Sequence, residues 1–314
     1  MESKILGKTV DGKDINLLTI RNGEFKVSIL TFGATLYYYG TDDLNIVLNH
    51  ERLEDYFDDP SYMGEVVGPV ANRIAKGRFS LDGVDYRLDI NNGPNNLHSG
   101  SACFGQKLWS VIGVGDSSVT LSLHTEDGLG GFPGSHDVRV TYSLDEDGSL
   151  TLYYQVSSDK KCPVAITNHA YFNLDGGGDI RSTSLLIESD MYVAVDESLI
   201  PVSINKVLDS DFDFTASREI GLYRDGKYDN TFILRKNGQI KAVGEKAWLL
   251  CKTSEPGVQL YTGEYLEGDH EAFSGFCLET GRYPDTPNQE SFPKAYTSST
   301  EEYVSITTYK MGVR

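Results

Sequence analysis

The chain has 314 residues, which is enough to bury a large core, and its proline and glycine residues are scattered instead of clustering in a linker. The formal net charge of −18 excludes a surface that would attract nucleic acid or anionic lipid. The N-terminal segment is too charged for a signal peptide, and no apolar run is long enough to cross a membrane. We therefore expect one cytoplasmic domain over residues 1–314, a monomer or homodimer that binds a small molecule and neither nucleic acid nor membrane.

The spacing of cysteine and histidine residues gives no sign of a metal site. Cys103, Cys162, Cys251 and Cys277 are far apart, and each lies among apolar or aromatic residues. No pair has the Cys-x-x-Cys spacing of a zinc site, and the six histidines show no His-x-x-x-His spacing. We expect four buried free thiols, no protein-bound metal and no organic cofactor.

Apolar and polar residues alternate with a period of two along much of the chain, which predicts half-buried strands. Clear examples lie at Phe25–Ile29, Val119–Leu123 and Val138–Leu144. Only Arg52–Phe57 is typical of a helical turn. The pattern predicts an all-β protein, a large sandwich of many mostly antiparallel strands.

Two hairpins are predicted by turns that contain both Asp and Gly. The first joins Phe79–Leu81 to Val84–Ile90 across Asp82 and Gly83, and the second joins Val138–Leu144 to Leu150–Val156 across residues 145–148. Four further segments interrupt the alternation with dense polar and aromatic residues, and a β scaffold displays functional groups at such places.

The first two of these segments contain Asn72, Arg73 and His98. Asn72 and Arg73 lie just before the first hairpin, and the guanidinium is either a solvated surface group or a fork donor to sugar hydroxyls. His98 ends a loop rich in Asn, Gly and Pro, where an imidazole either satisfies a backbone group or takes part in function.

The other two segments contain His169 and Glu279. His169 lies in Thr-Asn-His-Ala-Tyr-Phe-Asn-Leu, which is either a buried polar network that fixes strand register or the setting of a proton-exchanging histidine. Glu279 follows an apolar strand and precedes a loop with two prolines. It either pairs with a cation such as Arg282 or acts as a general base tuned by partial burial.

Together these segments resemble the aldose 1-epimerase (galactose mutarotase) family. The features of that family include Asn-Arg-Ile, Leu-His-Gly-Gly, Thr-Asn-His-x-Tyr-Phe-Asn-Leu, and Glu-Thr followed by Pro-Asp-x-Pro-Asn. They occur here in the same order at 72–74, 97–100, 167–174, 279–280 and 284–288. Ser99 departs from the glycine of the family loop, and Gly281-Arg282-Tyr283 departs from the commoner Gln-His-Phe-like residues. The resemblance implies a galactose-mutarotase-like β-supersandwich.

The resemblance also implies a reaction and the residues that perform it. The enzyme would interconvert the α and β anomers of a free monosaccharide, galactose or glucose, by ring opening and reclosure. Glu279 would be the general base and His169 the general acid, and the sugar would be bound by Asn72, Arg73, His98, Tyr171, Asp229 and Gln259. For these roles we expect a neighbouring donor or arginine to hold the pKa of Glu279 below neutral, and His169 to supply a proton.

Three other functions compete with this interpretation. A carbohydrate-binding module would keep the binding residues but would not need an acid and a base. A glycosidase would need a second carboxyl group, for which Asp229 is available. A hexose-6-phosphate epimerase would need a cationic cluster, to which Arg282 could contribute.

Overall fold

All 314 residues are described by a computed structural model, in which β-strands dominate. In chain order the strands are β1 Glu2–Lys8, β2 Asp14–Asn22, β3 Phe25–Leu30, β4 Leu36–Gly40, β5 Val66–Val67, β6 Arg73–Ile74, β7 Arg78–Leu81, β8 Val84–Arg87, β9 Asn96–Leu97, β10 Ser110–Val114, β11 Ser118–Thr125, β12 His136–Leu144, β13 Ser149–Ser158, β14 Cys162–Pro163, β15 Thr167–Asn168, β16 Tyr171–Phe172, β17 Ser184–Ile187, β18 Ser189–Val195, β19 Pro201–Lys206, β20 Arg218–Glu219, β21 Asp229–Leu234, β22 Gln239–Val243, β23 Ala247–Thr253, β24 Gly257–Tyr261, β25 Phe276–Gly281, β26 Tyr296–Thr297 and β27 Tyr303–Val313.

The helical segments are eight 3₁₀ turns of three or four residues. They are Leu53–Tyr56, Ala75–Gly77, Gly100–Ala102, Leu129–Gly131, Ile180–Ser182, Ile220–Leu222, Arg224–Gly226 and Thr286–Asn288. The first lies within the segment that the sequence marks as a helical turn. No helix has the length and apolar character needed to cross a bilayer. The all-β prediction is therefore confirmed.

Both predicted hairpins are present. β7 pairs with β8, and the two turn residues Asp82 and Gly83 have φ values of 51° and 81°, the left-handed conformation that a tight two-residue turn requires. The second strand ends at Arg87 instead of Ile90, because the N–H of Leu88 donates to Gly77 O instead of continuing the ladder. β12 pairs with β13 over its whole length, from His136 to Leu144.

Two large sheets form the body of the molecule. One has nine strands in the order β10-β11-β12-β13-β27-β23-β22-β17-β20, and the other has six in the order β16-β25-β24-β21-β18-β19. Their apolar faces share one cluster of 50 buried residues, to which Val140 and Leu152 contribute from the first sheet and Val258 and Leu278 from the second. The hydroxyl of Tyr309 on β27 also donates to Leu278 O on β25 at 2.9 Å. This packing fixes the six-stranded sheet against a rigid support.

The four cysteines are buried and unpaired, as the sequence predicts. Burial raises the pKa of the Cys103 thiol to about 12, so that thiol is uncharged at neutral pH. The thiol of Cys277 belongs to the strand that carries Glu279 and is described with the site below.

Candidate active site

The six-stranded sheet presents two adjacent rows of side chains on the face opposite the main core. Thr231, Gln259 and Glu279 are directly opposite one another on β21, β24 and β25 and form the first row. The second row, two residues along the same strands, contains Asp229, Tyr261 and Cys277, and Tyr171 on the neighbouring strand β16 extends it. Since successive strand residues point to opposite faces, Leu260 and Leu278 between these positions face the core instead. The sheet register therefore brings distant polar residues together.

A cleft of about 770 Å³ opens above these rows, a volume typical of small-molecule sites. Its walls come from the segments 50–62, 72–73, 92–98 and 265–269. Of the eight residues named from the resemblance, seven line this cleft: Asn72, Arg73, His98, His169, Tyr171, Asp229 and Glu279. Gln259 is the exception.

Glu279 and His169 face each other at the floor of the cleft. Glu279 Oε1 lies 3.7 Å from His169 Nε2, and the two residues are 7% and 4% exposed. The other ring nitrogen of His169, Nδ1, lies 3.6 Å from the Sγ atom of Cys277. The His169 ring also packs 5.1 Å from the Tyr171 ring, centroid to centroid. The pair is therefore largely buried among packed side chains at the floor of the cleft.

Burial sets the protonation of this pair. It raises the pKa of Glu279 to about 8; the Asp229 carboxylate adds to the rise and the Arg73 guanidinium opposes it. Burial also lowers the pKa of His169 to about 4. The expectation that a donor or arginine holds the pKa of Glu279 below neutral is therefore wrong for the free protein, because desolvation outweighs Arg73. At neutral pH the pair therefore carries one titratable proton: the carboxyl of Glu279 is protonated and the imidazole of His169 is uncharged.

Asn72 and His98 meet where two short strands, β6 and β9, pair side by side. Their φ values of 61° and 49° lie in the left-handed region, which is uncommon for residues other than glycine and often marks functional sites. The backbone N–H of Asn72 donates to His98 Nδ1 at 3.2 Å. Burial holds the pKa of His98 well below its usual range. The ring is therefore neutral, with Nδ1 as an acceptor and Nε2 as an N–H donor.

This tautomer distinguishes between a sugar and a metal as the ligand of the cleft. His98, His169 and Glu279 bring their ligand atoms within 4.8 Å of one another, which is close enough for a metal site. A histidine that binds metal through one nitrogen donates its other N–H to a neighbour. In His98 the nitrogen that would have to donate accepts a hydrogen bond instead. The three side chains therefore fit a hydrogen-bonding ligand better than a metal ion.

Asp229 connects Arg73 to the sheet. Its Oδ2 atom lies 3.8 Å from Nη1 of Arg73, and its Oδ1 atom accepts a hydrogen bond from Gln259 Nε2 at 2.5 Å. The carbonyl oxygen of Gln259 accepts from the hydroxyl of Thr231. Both ends of the Gln259 amide are thus engaged behind Asp229. Gln259 does not line the cleft, and its amide holds Asp229 in position. Its direct contact with the sugar, which the resemblance implies, stays a prediction.

Comparison with known proteins shows the family to which this chain belongs. Residues 16–310 match the family model described as aldose 1-epimerase. The galactose mutarotase of Bos taurus is 37% identical over 94% of this chain and 93% of its own, and the aldose 1-epimerase of Escherichia coli K12 is 33% identical over 96% of each. This chain belongs to the aldose 1-epimerase family.

Two solved structures share the fold of this chain. An aldose epimerase homologue from C. elegans superposes with a TM-score of 0.91 at 27% identity, covering 95% of this chain and 99% of that one. A galactose 1-epimerase from Lactobacillus acidophilus superposes with a TM-score of 0.90 at 25% identity, covering 100% and 99%. The galactose-mutarotase-like fold that the resemblance implies is confirmed.

Tyr62, Asn92 and Tyr261 are among the residues of the aldose 1-epimerase cleft that were not named as site residues from the sequence. The Tyr62 ring packs 4.6 Å from the His98 ring, centroid to centroid. Asn92 accepts a hydrogen bond from Arg73 Nε at 3.0 Å, and Tyr261 lies in the second row beside Asp229. Asn92 belongs to the same loop as His98, so that loop gave a signal. Tyr261 lies two residues after Gln259, in a segment that also resembles the family, whereas the segment of Tyr62 gave no signal.

We expect Arg73→Ala to weaken sugar binding more than turnover in this aldose 1-epimerase family member. The substitution removes a donor that lines the cleft, and a hydrogen bond from a charged group contributes about 1.5–3 kcal/mol. KM for galactose should therefore rise roughly 10- to 100-fold, with a smaller fall in kcat, in polarimetric initial-rate measurements. Arg235→Ala is a suitable control, since Arg235 pairs with Asp190 on the exposed surface. An unchanged KM in Arg73→Ala would remove Arg73 from the binding site.

Proposed function

We propose that this protein is a mutarotase that interconverts the α and β anomers of a free aldohexose, galactose and/or glucose. The observation that carries the proposal is the buried pair of Glu279 and His169, 3.7 Å apart at the floor of a cleft of small-molecule size. Mutarotation needs one acid and one base at the same sugar, and this pair holds one proton at neutral pH. The four free buried thiols support a reducing, cytoplasmic location.

In this mechanism a cyclic hemiacetal opens when the anomeric hydroxyl loses its proton and the ring oxygen gains one. Glu279 takes the first proton and His169 supplies the second. The open-chain aldehyde then rotates about its C1–C2 bond and recloses on the other face while the two groups exchange roles. Both side chains line the same cleft, 3.7 Å apart, so both can reach one bound sugar.

These roles require the proton of the free pair to pass from Glu279 to His169. Desolvation favours the uncharged pair before the sugar binds. Hydroxyl groups of the sugar that donate to the carboxylate favour its ionised form, and a sugar oxygen that accepts from the imidazolium favours the protonated histidine. Substrate binding therefore creates the charged pair in which Glu279 is the base. The charged pair of acid and base therefore forms only when the sugar is bound.

The surroundings of Asp229 make a glycosidase the weaker alternative. A glycosidase of the usual kind uses two carboxyl groups, one as acid and one as nucleophile or base. The two oxygens of Asp229 are engaged with Gln259 and Arg73. Asp229 is therefore better placed to bind and orient a sugar than to attack it.

The charge of the cleft also disfavours a phosphorylated sugar. Its exposed lining includes Glu54, Asp58, Glu267 and Asp269, which would repel a phosphate. Arg282, the residue that could have bound a phosphate, does not line the cleft and lies 3.1 Å from Glu255 instead. These contacts support a neutral sugar as the substrate.

Polarimetry tests the proposal. Freshly dissolved α-D-galactose and α-D-glucose are followed to anomeric equilibrium with and without catalytic amounts of the protein. Faster relaxation to an unchanged endpoint is the expected result, and the relative rates rank the two sugars. Relaxation at the uncatalysed rate with both sugars would contradict the proposal and favour a carbohydrate-binding module, which sugar binding measured by calorimetry would then reveal.

A further inference from the structure

A small polar cavity adjoins the cleft at Glu279. Its volume of about 10 Å³ is enough for one water molecule. The polar residues around it include Asn72, Thr167, Thr231, Gln259, Glu279 and Arg282. Asn72 and Glu279 line both the cleft and this cavity, so the two spaces adjoin at these residues.

Thr167 lines this cavity, and its hydroxyl group has no hydrogen-bond partner in the protein. Thr167 is 2% exposed, and its Oγ1 atom is buried without a hydrogen-bond partner in the protein. Most buried polar side-chain atoms have a partner, either in the protein or in an ordered water. Its backbone is fixed by pairing with Val67 on β5, so the side chain has no exposed alternative position. The space nearest to this hydroxyl for a partner is the cavity that Thr167 lines.

Thr231 supplies a second polar contact. Its hydroxyl hydrogen is used, because it donates to the carbonyl oxygen of Gln259, but its oxygen can still accept. Glu279 supplies an acceptor as well, and no protein group donates a hydrogen bond to its carboxyl. One donor and two acceptors around a space for one molecule match the hydrogen-bonding capacity of water, which typically makes about three bonds in such sites.

We propose that one water molecule is bound in this cavity, accepts a hydrogen bond from Thr167, and donates to Thr231 and to the carboxyl of Glu279. Thr167 is then a positioning residue for the general base, a role that rests on the proposed function. The water supplies the donor that the protein itself does not give to Glu279. Because it donates to the carboxylate, it stabilises the ionised form and keeps the pKa of Glu279 lower than burial alone would set it.

The test compares Thr167→Val with Thr167→Ser. Valine has nearly the shape of threonine but lacks the hydroxyl, whereas serine keeps it. The pH dependence of kcat/KM for galactose is measured by polarimetry for both variants and the wild type. In Thr167→Val we expect the alkaline limb to move up by about one pH unit, since a hydrogen bond to a charged group changes an equilibrium roughly tenfold or more. In Thr167→Ser it should stay near its original position.

Coincident profiles for Thr167→Val and the wild type would overturn the role of Thr167. A crystal structure of the wild type, at a resolution that shows ordered waters, gives a readout independent of activity and of the folding of the variant. Density for one water bonded to Thr167 and Glu279 is expected, and clear density for the surrounding side chains without it would overturn the inference. Absence of mutarotase activity in the wild type would contradict the proposed function alone, because the crystal structure would still show whether the water molecule is bound.

Discussion

Glu279→Gln is expected to lower kcat for mutarotation by about 10²–10⁴-fold while the affinity for galactose stays close to that of the wild type. The amide has nearly the shape of the carboxyl group but cannot take up or release a proton at neutral pH. The other groups of the cleft, including Arg73, His98 and Asp229, are unchanged and keep the sugar in place. Polarimetry gives the turnover, and isothermal titration calorimetry with galactose gives the affinity.

Glu65→Gln provides a matched control. Glu65 is 0% exposed, does not line the cleft, and burial holds its pKa well above the usual range, so the substitution replaces one neutral group by another. Its carboxyl accepts from Gln106, and we expect a wild-type rate. If Glu279 and His169 act as a unit, Glu279→Gln combined with His169→Asn should be about as slow as either single variant. Full turnover in Glu279→Gln would refute the assignment.

The pH dependence of kcat/KM is expected to be bell-shaped, with limbs near the pKa values of about 8 for Glu279 and about 4 for His169. Between these values the pair carries one proton and contains both an acid and a base. As the pH rises through about 8, Glu279 loses its proton while His169 is neutral, and the site has no acid. As the pH falls through about 4, His169 gains a proton while Glu279 keeps its own, and the site has no base.

Polarimetric rates from about pH 5 to pH 10, corrected for the uncatalysed reaction at each pH, measure the alkaline limb. We expect the residual activity of Glu279→Gln to lack that limb, because the titrating group is gone. A wild-type rate that still climbed above about pH 9 would show that the reacting form carries no proton, which would contradict the shared-proton mechanism.

Local patterns account for the parts of the fold that sequence predicts well. The hairpin at Asp82-Gly83 follows from alternation on both sides of a turn that only a few residue types can adopt. The clustering of Asn72, His98, His169 and Glu279 followed from the resemblance, because each lies in a short motif with a recognisable neighbourhood. Alternation alone also gave the all-β class.

The parts that could not be predicted depend on contacts between distant segments. The pKa of Glu279 reflects burial and the nearby Asp229 carboxylate, which lies on another strand. The engagement of Gln259 behind Asp229 depends on a register that places it directly between Thr231 and Glu279. A shift of one residue in that pairing would turn Gln259 towards the core, and no local motif reports the register.

The two rows of side chains on the six-stranded sheet also constrain how the protein is made. Residues of the cleft come from segments as far apart as Asn72 and Glu279, and the strand bearing Glu279 pairs with partners that precede it in the chain. During synthesis, the ribosome must release residues up to Gly281 before β25 can join that sheet. Non-local pairing of this kind forms slowly. The cleft of the nascent polypeptide is therefore incomplete until residues up to Gly281 have left the ribosome, and catalytic competence cannot precede the addition of β25 to the sheet.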